Sequence, residues 1–151
     1  MTNEHNVVLG NKTARYLTIG SNNVFLGSEC AEYLLCSDDS ILIGRNTGQY
    51  SKQMSSDIFI GTNSGKYSVD SHENVFIGGN CGHSSIGDKN ILVGNETGLK
   101  NDGDNNIFIG NDAGKNSKGS NNIFLGERTG DNNIHSNMVV GNKQHHYSHI
   151  S

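Results

Sequence analysis

Two cysteines at equivalent places in the chain are the strongest candidates for catalytic chemistry. Cys81 is followed by Gly82 and His83, which places a nucleophile close to a base. Nucleophilic catalysis also needs a third group that orients the base, and the sequence offers no candidate for it. Cys81 instead occupies a position that recurs along the chain and holds small residues elsewhere, and Cys30 occupies the same position. We therefore predict buried free thiols, no catalytic residues and no cofactor.

Possible metal ligands occur in two places. Asp102, Asp104 and Asn106 alternate like the start of a calcium-binding loop, but the glycine and the distal glutamate of such a loop are missing. A solvated corner is the prediction for these residues. The C-terminal tail holds three histidines, His145, His146 and His149. These histidines could meet their copies on a threefold axis and bind a metal, but a polar, frayed chain end is the favoured explanation.

These residues belong to a chain that repeats one short phrase. Three apolar residues are followed by Gly, three small or polar residues, and Gly or Ala, as in residues 107–114. The Gly that ends each apolar triplet, the motif glycine, recurs every 15 to 17 residues, at Gly10, Gly27, Gly44, Gly61, Gly78, Gly94, Gly110, Gly126 and Gly141. Such a period is typical of a solenoid, in which each repeat forms one rung. The sequence predicts an all-β parallel β-solenoid of about nine rungs. We assign one domain, 1–151, with repeats over about 5–143 and a tail over 144–151.

The composition limits the classes of function. Only 32% of residues are hydrophobic and 17% are charged, which fits neither an ordinary globular core nor a disordered polyelectrolyte. A net charge of −4 without a basic stripe predicts no nucleic-acid partner. No apolar run has membrane-spanning length, so we expect no membrane insertion. The N-terminus lacks the pattern of a signal peptide, and three cysteines mildly favour synthesis in a reducing compartment.

The apolar triplets predict a surface for self-association. Side chains alternate between the two faces of a strand, and we assign the first and third residues of each triplet, such as Ile107 and Ile109, to the interior. The middle residues then face outward, and all five phenylalanines of the protein are among them. A soluble monomer rarely exposes a continuous apolar column, so we predict an interface with identical chains. The predicted interface consists of Val8, Phe25, Leu42, Phe59, Phe76, Leu92, Phe108, Phe124 and Val139. The alternative is that this column packs on the return segment of its own chain, although that segment offers little apolar surface in the later rungs.

A second column contains tyrosines. They stand six residues after the motif glycine in the first four rungs, at Tyr16, Tyr33, Tyr50 and Tyr67. A structural ladder is the favoured interpretation, and a flat aromatic surface for a sugar ring is the alternative. The tyrosines disappear where the period drops from 17 to 16 residues.

The pattern N-[VI]-F-[IL]-G-x-x-[AT]-G, seen for example from Asn106 to Gly114, resembles the head repeat of YadA-type trimeric adhesins. It is also similar to the Gly-Asn-rich repeats of some phage and viral fibre proteins. The resemblance covers about residues 5–143, and it implies a left-handed parallel β-roll with three parallel chains around a common axis, hence a homotrimer. In contrast to the adhesins, we expect no export signal, coiled-coil stalk or membrane-anchor barrel in this chain. Its middle positions also carry Phe or Leu where the adhesin repeats favour Ala.

The expected function is that of a non-enzymatic structural protein. We expect a β-solenoid trimer that acts as a component of a virus or phage particle, as a fibre, spike or capsid-associated protein. Its expected location is a virion or cell-surface appendage, where other structural proteins would hold it in place. The alternative is an adhesin head module that binds a host receptor or glycan. A hexapeptide-type acyltransferase is the third candidate, but spacings of 17, 16 and 15 residues do not divide by six. An ice-binding solenoid would need a regular Thr-x-Thr ladder, which the sequence lacks.

Overall fold

The computed structural model describes residues 4–133 and 138–141, and this part of the chain is all-β, with twelve short strands and no helix. The strands are β1 (Val7–Leu9), β2 (Val24–Leu26), β3 (Cys36–Asp38), β4 (Ile41–Ile43), β5 (Gln53–Ser55), β6 (Ile58–Ile60), β7 (Ser71–His72), β8 (Val75–Ile77), β9 (Ile91–Val93), β10 (Ile107–Ile109), β11 (Ile123–Leu125) and β12 (Met138–Val140). Each apolar triplet of the sequence forms one of these strands. The predicted parallel β-solenoid is confirmed.

The triplets form one continuous parallel sheet. Its nine strands run in the order β1-β2-β4-β6-β8-β9-β10-β11-β12, and each triplet pairs with the equivalent residues of the next. Phe108, for example, lies between Leu92 and Phe124 in the ladder. The return segments of the early rungs form a smaller parallel sheet, β3-β5-β7. Because every rung repeats the same phrase, identical positions stack and no connection crosses another.

Two glycines in most rungs allow this stacking, and Ala14 and Ala31 replace the second one in the first two rungs. Gly110 follows its triplet with a φ of 137°, and a Cβ at that position would lie 2.5 Å from the carbonyl oxygen of Gly126 in the next rung. Gly114, at the second corner, has a φ of 63°, and a Cβ there would lie 2.1 Å from the ring of Phe108. The first glycine therefore lets neighbouring rungs approach. The second makes room for a large side chain inside the rung.

The middle residues of the seven triplets from β2 to β11 point into the solenoid, so the predicted interface column is wrong. Phe59, Phe108 and Leu92 have no exposed surface, and Phe76 is 1% exposed. The side chains of Phe25, Leu42 and Phe124 are equally buried. Val8 is half-exposed because it lies in the first described strand, and the side chain of Val139 lies outside the described residues. The alternation along the strand was predicted correctly, but the inner and outer faces were exchanged.

The reason is the width of a rung. Small residues such as Cys81 and Thr97, followed by glycine, line the wall opposite the triplet, which leaves space for one large side chain per rung. Two side chains from each triplet would not fit there. The first and third residues are consequently outside, as Ile91 and Ile109 show with 40% and 44% of their surface exposed.

A buried ladder of short polar side chains holds the corner before each triplet. The Oδ1 atom of Asn23 accepts the N–H of Ser40 at 3.0 Å, and the Asn6 Oδ1 atom accepts the N–H of Asn23 at 2.9 Å. Asn106 and Asn122 are related in the same way, at 2.9 Å. This bonding of side chains to the backbone of the next rung satisfies peptide groups at a corner that no strand ladder reaches.

Candidate functional site

The cysteines are placed as structural residues. Cys30 and Cys81 are fully buried, and their thiols donate to the carbonyl oxygens of Leu42 and Leu92 in the next rung, at 3.4 and 3.1 Å. Burial raises the pKa of each of these two thiols to about 12, which keeps them protonated at neutral pH. They are free thiols, as predicted. A protonated, buried thiol is a poor nucleophile, so the position of Cys81 supports no nucleophilic chemistry.

The acidic residues near Asp102 form part of the corner rather than a metal site. Asp104 accepts the N–H of Asp88 at 2.9 Å through Oδ1, and its own N–H donates to Ser120 at 2.9 Å. Asp102 and Asp104 are exposed as expected, whereas Asn106 is buried in the corner ladder. Within residues 4–133 and 138–141, no three His, Cys, Asp or Glu side chains are grouped closely enough to hold a metal ion. The predicted histidine cluster, His145, His146 and His149, lies outside the described residues.

The tyrosine column is a ladder of stacked rings. Ring centroids are 5.2 Å apart for Tyr16 and Tyr33, 4.6 Å for Tyr33 and Tyr50, and 4.8 Å for Tyr50 and Tyr67. The planes of the last pair differ by 4°. Tyr67 then meets the edge of the His83 ring at 5.5 Å. Tyr33 and Tyr50 therefore have both ring faces covered by neighbouring tyrosines. The guanidinium of Arg15 lies over the ring of Tyr16, 5.2 Å from its centroid. A sugar stacks on an aromatic face, so this geometry favours the structural ladder over a glycan platform.

The outer surface of the nine-stranded sheet, which we call the sheet face, is a continuous apolar surface that the rest of the described chain leaves uncovered. One column of the sheet face contains the first residue of each triplet, Val7, Val24, Ile41, Ile58, Val75, Ile91, Ile107, Ile123 and Met138. The other contains the third residue, Leu9, Leu26, Ile43, Ile60, Ile77, Val93, Ile109, Leu125 and Val140. All of these side chains are exposed or half-buried, and every one is aliphatic or Met.

The size of the sheet face is that of an interaction site. Nine strands spaced about 4.8 Å apart make a length of about 38 Å, and two columns about 7 Å apart give a width of about 10 Å with their side chains. The resulting area of about 400 Å² falls within the 300–600 Å² of the largest apolar patch on a typical monomer, which is often functional. The face has no side-chain hydrogen-bonding group, so it can contribute to binding only by excluding water from an apolar contact.

Polar rows flank the sheet face on both sides. The row that we call the leading rim lies two residues before each triplet and contains His5, Asn22, Asp39, Ser56, Glu73, Lys89, Asn105 and Asn121. The row that we call the trailing rim follows each motif glycine and contains Asn11, Ser28, Arg45, Thr62, Gly79, Asn95, Asn111 and Glu127. All of these residues are exposed except Gly79, which is half-buried. An apolar strip bordered by polar residues is typical of a protein–protein interface.

Comparisons with known proteins supply no family for this chain. No family model, no curated protein and no solved structure matches it. The part of the chain that the structure describes also contains no helix of the length and apolarity needed to cross a membrane. The sheet face is therefore identified as the candidate site by its own geometry and chemistry.

Proposed function

We propose that the chain is a non-enzymatic structural protein that assembles with its own copies through the sheet face. The observation that carries this proposal is the continuous aliphatic surface of two columns, from Val7 and Leu9 at one end to Met138 and Val140 at the other. Exposed Ile, Leu and Val in an unbroken strip would be costly in an isolated chain, and a partner of the same kind covers them with equally apolar surface.

A homotrimer is the assembly that we propose. Each copy can bury about 400 Å² of sheet face, so two copies bury about 800 Å², which is below the 1,200–2,000 Å² of a standard stable interface. The burial per copy is the same in a trimer, and polar contacts between the rims would add to it. The number of three copies is supported by the resemblance of the repeat to trimeric fibre and adhesin repeats.

The biological role that we propose is a component of a virus or phage particle, such as a fibre, spike or capsid-associated protein. A stack of identical rungs resists bending and supplies length, which suits an elongated appendage. The residues considered as catalytic or metal-binding candidates also support a structural role. Cys30, Cys81 and Asn106 are buried in contacts between rungs. We also propose that other structural proteins of the particle hold this chain in place. A host receptor or glycan as ligand gains no support from the tyrosine ladder, in which both faces of Tyr33 and Tyr50 are covered by neighbouring rings.

The solution mass tests the proposal. We expect the wild-type chain to show about three times its mass of 16.3 kDa by light scattering. Ile91→Glu/Ile109→Glu places two charges on the sheet face at side chains that are already partly exposed, so it should give a folded monomer. Ile86→Glu is the matched control, because Ile86 is 54% exposed but lies outside the sheet face. It should remain trimeric. A wild-type monomer would contradict the proposed function.

A further inference from the structure

The tyrosine ladder brings one pair of phenol rings closer together than its other pairs. The ring centroids of Tyr33 and Tyr50 are 4.6 Å apart, and the ring planes differ by 8°. The centroids of Tyr16 and Tyr33 are 5.2 Å apart, and those of Tyr50 and Tyr67 are 4.8 Å apart. Because Tyr33 and Tyr50 occupy equivalent positions in adjacent rungs, equivalent carbons of the two rings stand about as far apart as the centroids.

The same pair can be reached from solution. Both ring faces of Tyr33 and Tyr50 are covered by neighbouring tyrosines, yet the two residues are 39% and 41% exposed. A diffusing oxidant can therefore reach these side chains without opening the stack. A radical formed on one ring then lies against the ring of the next rung, so the stack decides which phenol it meets first.

Cationic groups near the ladder favour oxidation at Tyr33. A cation over an aromatic ring attracts the electrons of that ring and makes the removal of one of them harder. Arg15 lies over Tyr16, and Lys66 lies over the rings of the two later tyrosines, 5.6 and 5.5 Å from their centroids. No described lysine or arginine makes this contact with Tyr33. Tyr33 should therefore lose an electron most readily, and Tyr50 is its closest neighbour in the stack.

We propose that a one-electron oxidant, such as the ferryl haem of a peroxidase, joins Tyr33 and Tyr50 of the same chain through a carbon–carbon bond, as dityrosine. Each phenol loses one electron to the oxidant and its hydroxyl proton to water, which leaves two tyrosyl radicals. The radicals couple between the ring carbons adjacent to the hydroxyl-bearing carbons. The hydrogen on each of these carbons then leaves as a proton, and a proton from water returns to each oxygen. In total the pair loses two electrons and two protons, and two equivalents of the oxidant are reduced.

The bond ties two adjacent rungs together and closes a loop of 17 residues, from Tyr33 to Tyr50. A covalent link of this kind stabilises the folded state mainly by restricting the unfolded chain. The ladder is then the site at which oxidation hardens the solenoid after it has folded. Because both tyrosines belong to one chain, the inference does not depend on the proposed self-association.

Oxidation of the full chain with a peroxidase and limiting hydrogen peroxide tests the inference. The background is Cys36→Ser/Tyr147→Phe, which removes the cysteine that is not buried and the tyrosine outside the described residues. We expect a product that migrates as a single chain on a denaturing gel and has lost the mass of two hydrogen atoms. Trypsin should then release residues 16–45 linked to residues 46–52, which carry Tyr33 and Tyr50. Links between chains without this product would overturn the inference.

Phenylalanine variants locate the bond, because phenylalanine keeps the stacking ring and lacks the phenol. Tyr33→Phe and Tyr50→Phe should each abolish the linked product of residues 16–45 and 46–52. Tyr16→Phe is the matched control, since it changes the same tryptic peptide as Tyr33→Phe, and it should leave the yield unchanged. Persistence of the product in Tyr33→Phe, or its loss in Tyr16→Phe, would overturn the assignment of the pair.

Oxidation in denaturant tests whether the stack selects the pair. The two tyrosines are then joined only by flexible chain, so the share of the Tyr33–Tyr50 product among all dityrosine products should fall several-fold. An equal share in the folded and the unfolded chain would show that the ladder does not direct the reaction, and the inference would fail.

Discussion

Asp57 is the charged residue of the buried corner ladder, where most rungs place Asn. Its Oδ1 atom accepts the backbone N–H of Asn74 at 2.9 Å and the hydroxyl of Ser71 at 3.1 Å, and its Oδ2 atom accepts the N–H of Ser55 at 3.2 Å. Burial raises the pKa of this carboxyl to about 6, and the hydrogen bonds from Asn74, Ser71 and Ser55 oppose the rise. The ionised form is therefore the less favourable one in the folded protein.

The raised pKa gives the stability a definite dependence on pH. The folded state binds this proton more tightly than the unfolded chain, whose Asp pKa is about 3.8. Stability therefore increases as the pH falls from about 6 to about 4, and the ionised carboxylate costs up to about 3 kcal/mol above that range. Asp57→Asn should raise the melting temperature at pH 7.5 by roughly 3–8 °C, and the gain should shrink at pH 4.5.

Thermal melts of Asp57→Asn at the two pH values measure this effect. Asp102→Asn is the matched control, because Asp102 is exposed and its replacement removes the same charge. It should change the melting temperature little at either pH. An Asp57→Asn protein that is no more stable than wild type at pH 7.5 would show that the hydrogen bonds to Asp57 fully compensate its burial.

The stacking of rungs, at the scale of the strands, depends on the motif glycine more than on any side chain. Gly78 and Gly79 form a natural pair for comparison. Gly78 has a φ of 140°, and a Cβ there would lie 2.1 Å from the carbonyl oxygen of Gly94, whereas a Cβ on Gly79 would approach only the side chain of Asn95, at 3.0 Å. We expect Gly78→Ala to destabilise the protein by several kcal/mol, about 3 or more, and Gly79→Ala by less than about 1 kcal/mol.

Chemical denaturation of the two alanine variants, followed by circular dichroism, gives both values. The two substitutions add the same methyl group to adjacent residues, so their difference measures the contact between rungs together with the backbone strain of alanine at a φ of 140°. Equal destabilisation would show that neither the contact nor the backbone conformation requires glycine at position 78.

The strands themselves were predictable, since every apolar triplet became a strand with the expected bounds. Alternation defined two faces in each strand, but it carries no information about which face is enclosed. The deciding feature was the second corner glycine, such as Gly65 or Gly114, which lies directly under the ring of Phe59 or Phe108. The sequence shows this glycine after each Phe triplet from residue 58 onward. Whether this glycine lies under an inward-pointing ring depends on how tightly the chain turns at the corner, and periodicity does not encode the tightness of that turn.

The chain as a whole is unusual in how it divides its apolar residues. Each of the seven triplets from β2 to β11 buries one side chain and presents two, so in these rungs the sheet face holds twice as many triplet residues as the core. Much of the apolar contribution to stability then arises only when the sheet face is covered. Folding of the rungs and association of the chains should therefore be thermodynamically coupled.

This coupling predicts that thermal stability depends on protein concentration. We expect the wild-type melting temperature to rise by roughly 2–4 °C for each tenfold increase in concentration, because the associated form is favoured by mass action. Ile91→Glu/Ile109→Glu should melt at a temperature independent of concentration. Ile86→Glu should keep the wild-type dependence. Scanning calorimetry over two decades of concentration would detect the difference, and a wild-type melting temperature that stays constant would contradict the coupling.

The pairing of equivalent residues in every neighbouring rung also bears on how such a protein changes over time. Duplication or loss of one whole repeat leaves each remaining triplet beside a matching triplet, and it alters the length of the molecule by about 4.8 Å. The change from 17-residue to 16-residue repeats after Gly78 indicates that even the size of the repeat can vary by one residue without loss of pairing. Gain or loss of repeats in the gene can therefore change the length of the protein in small equal steps.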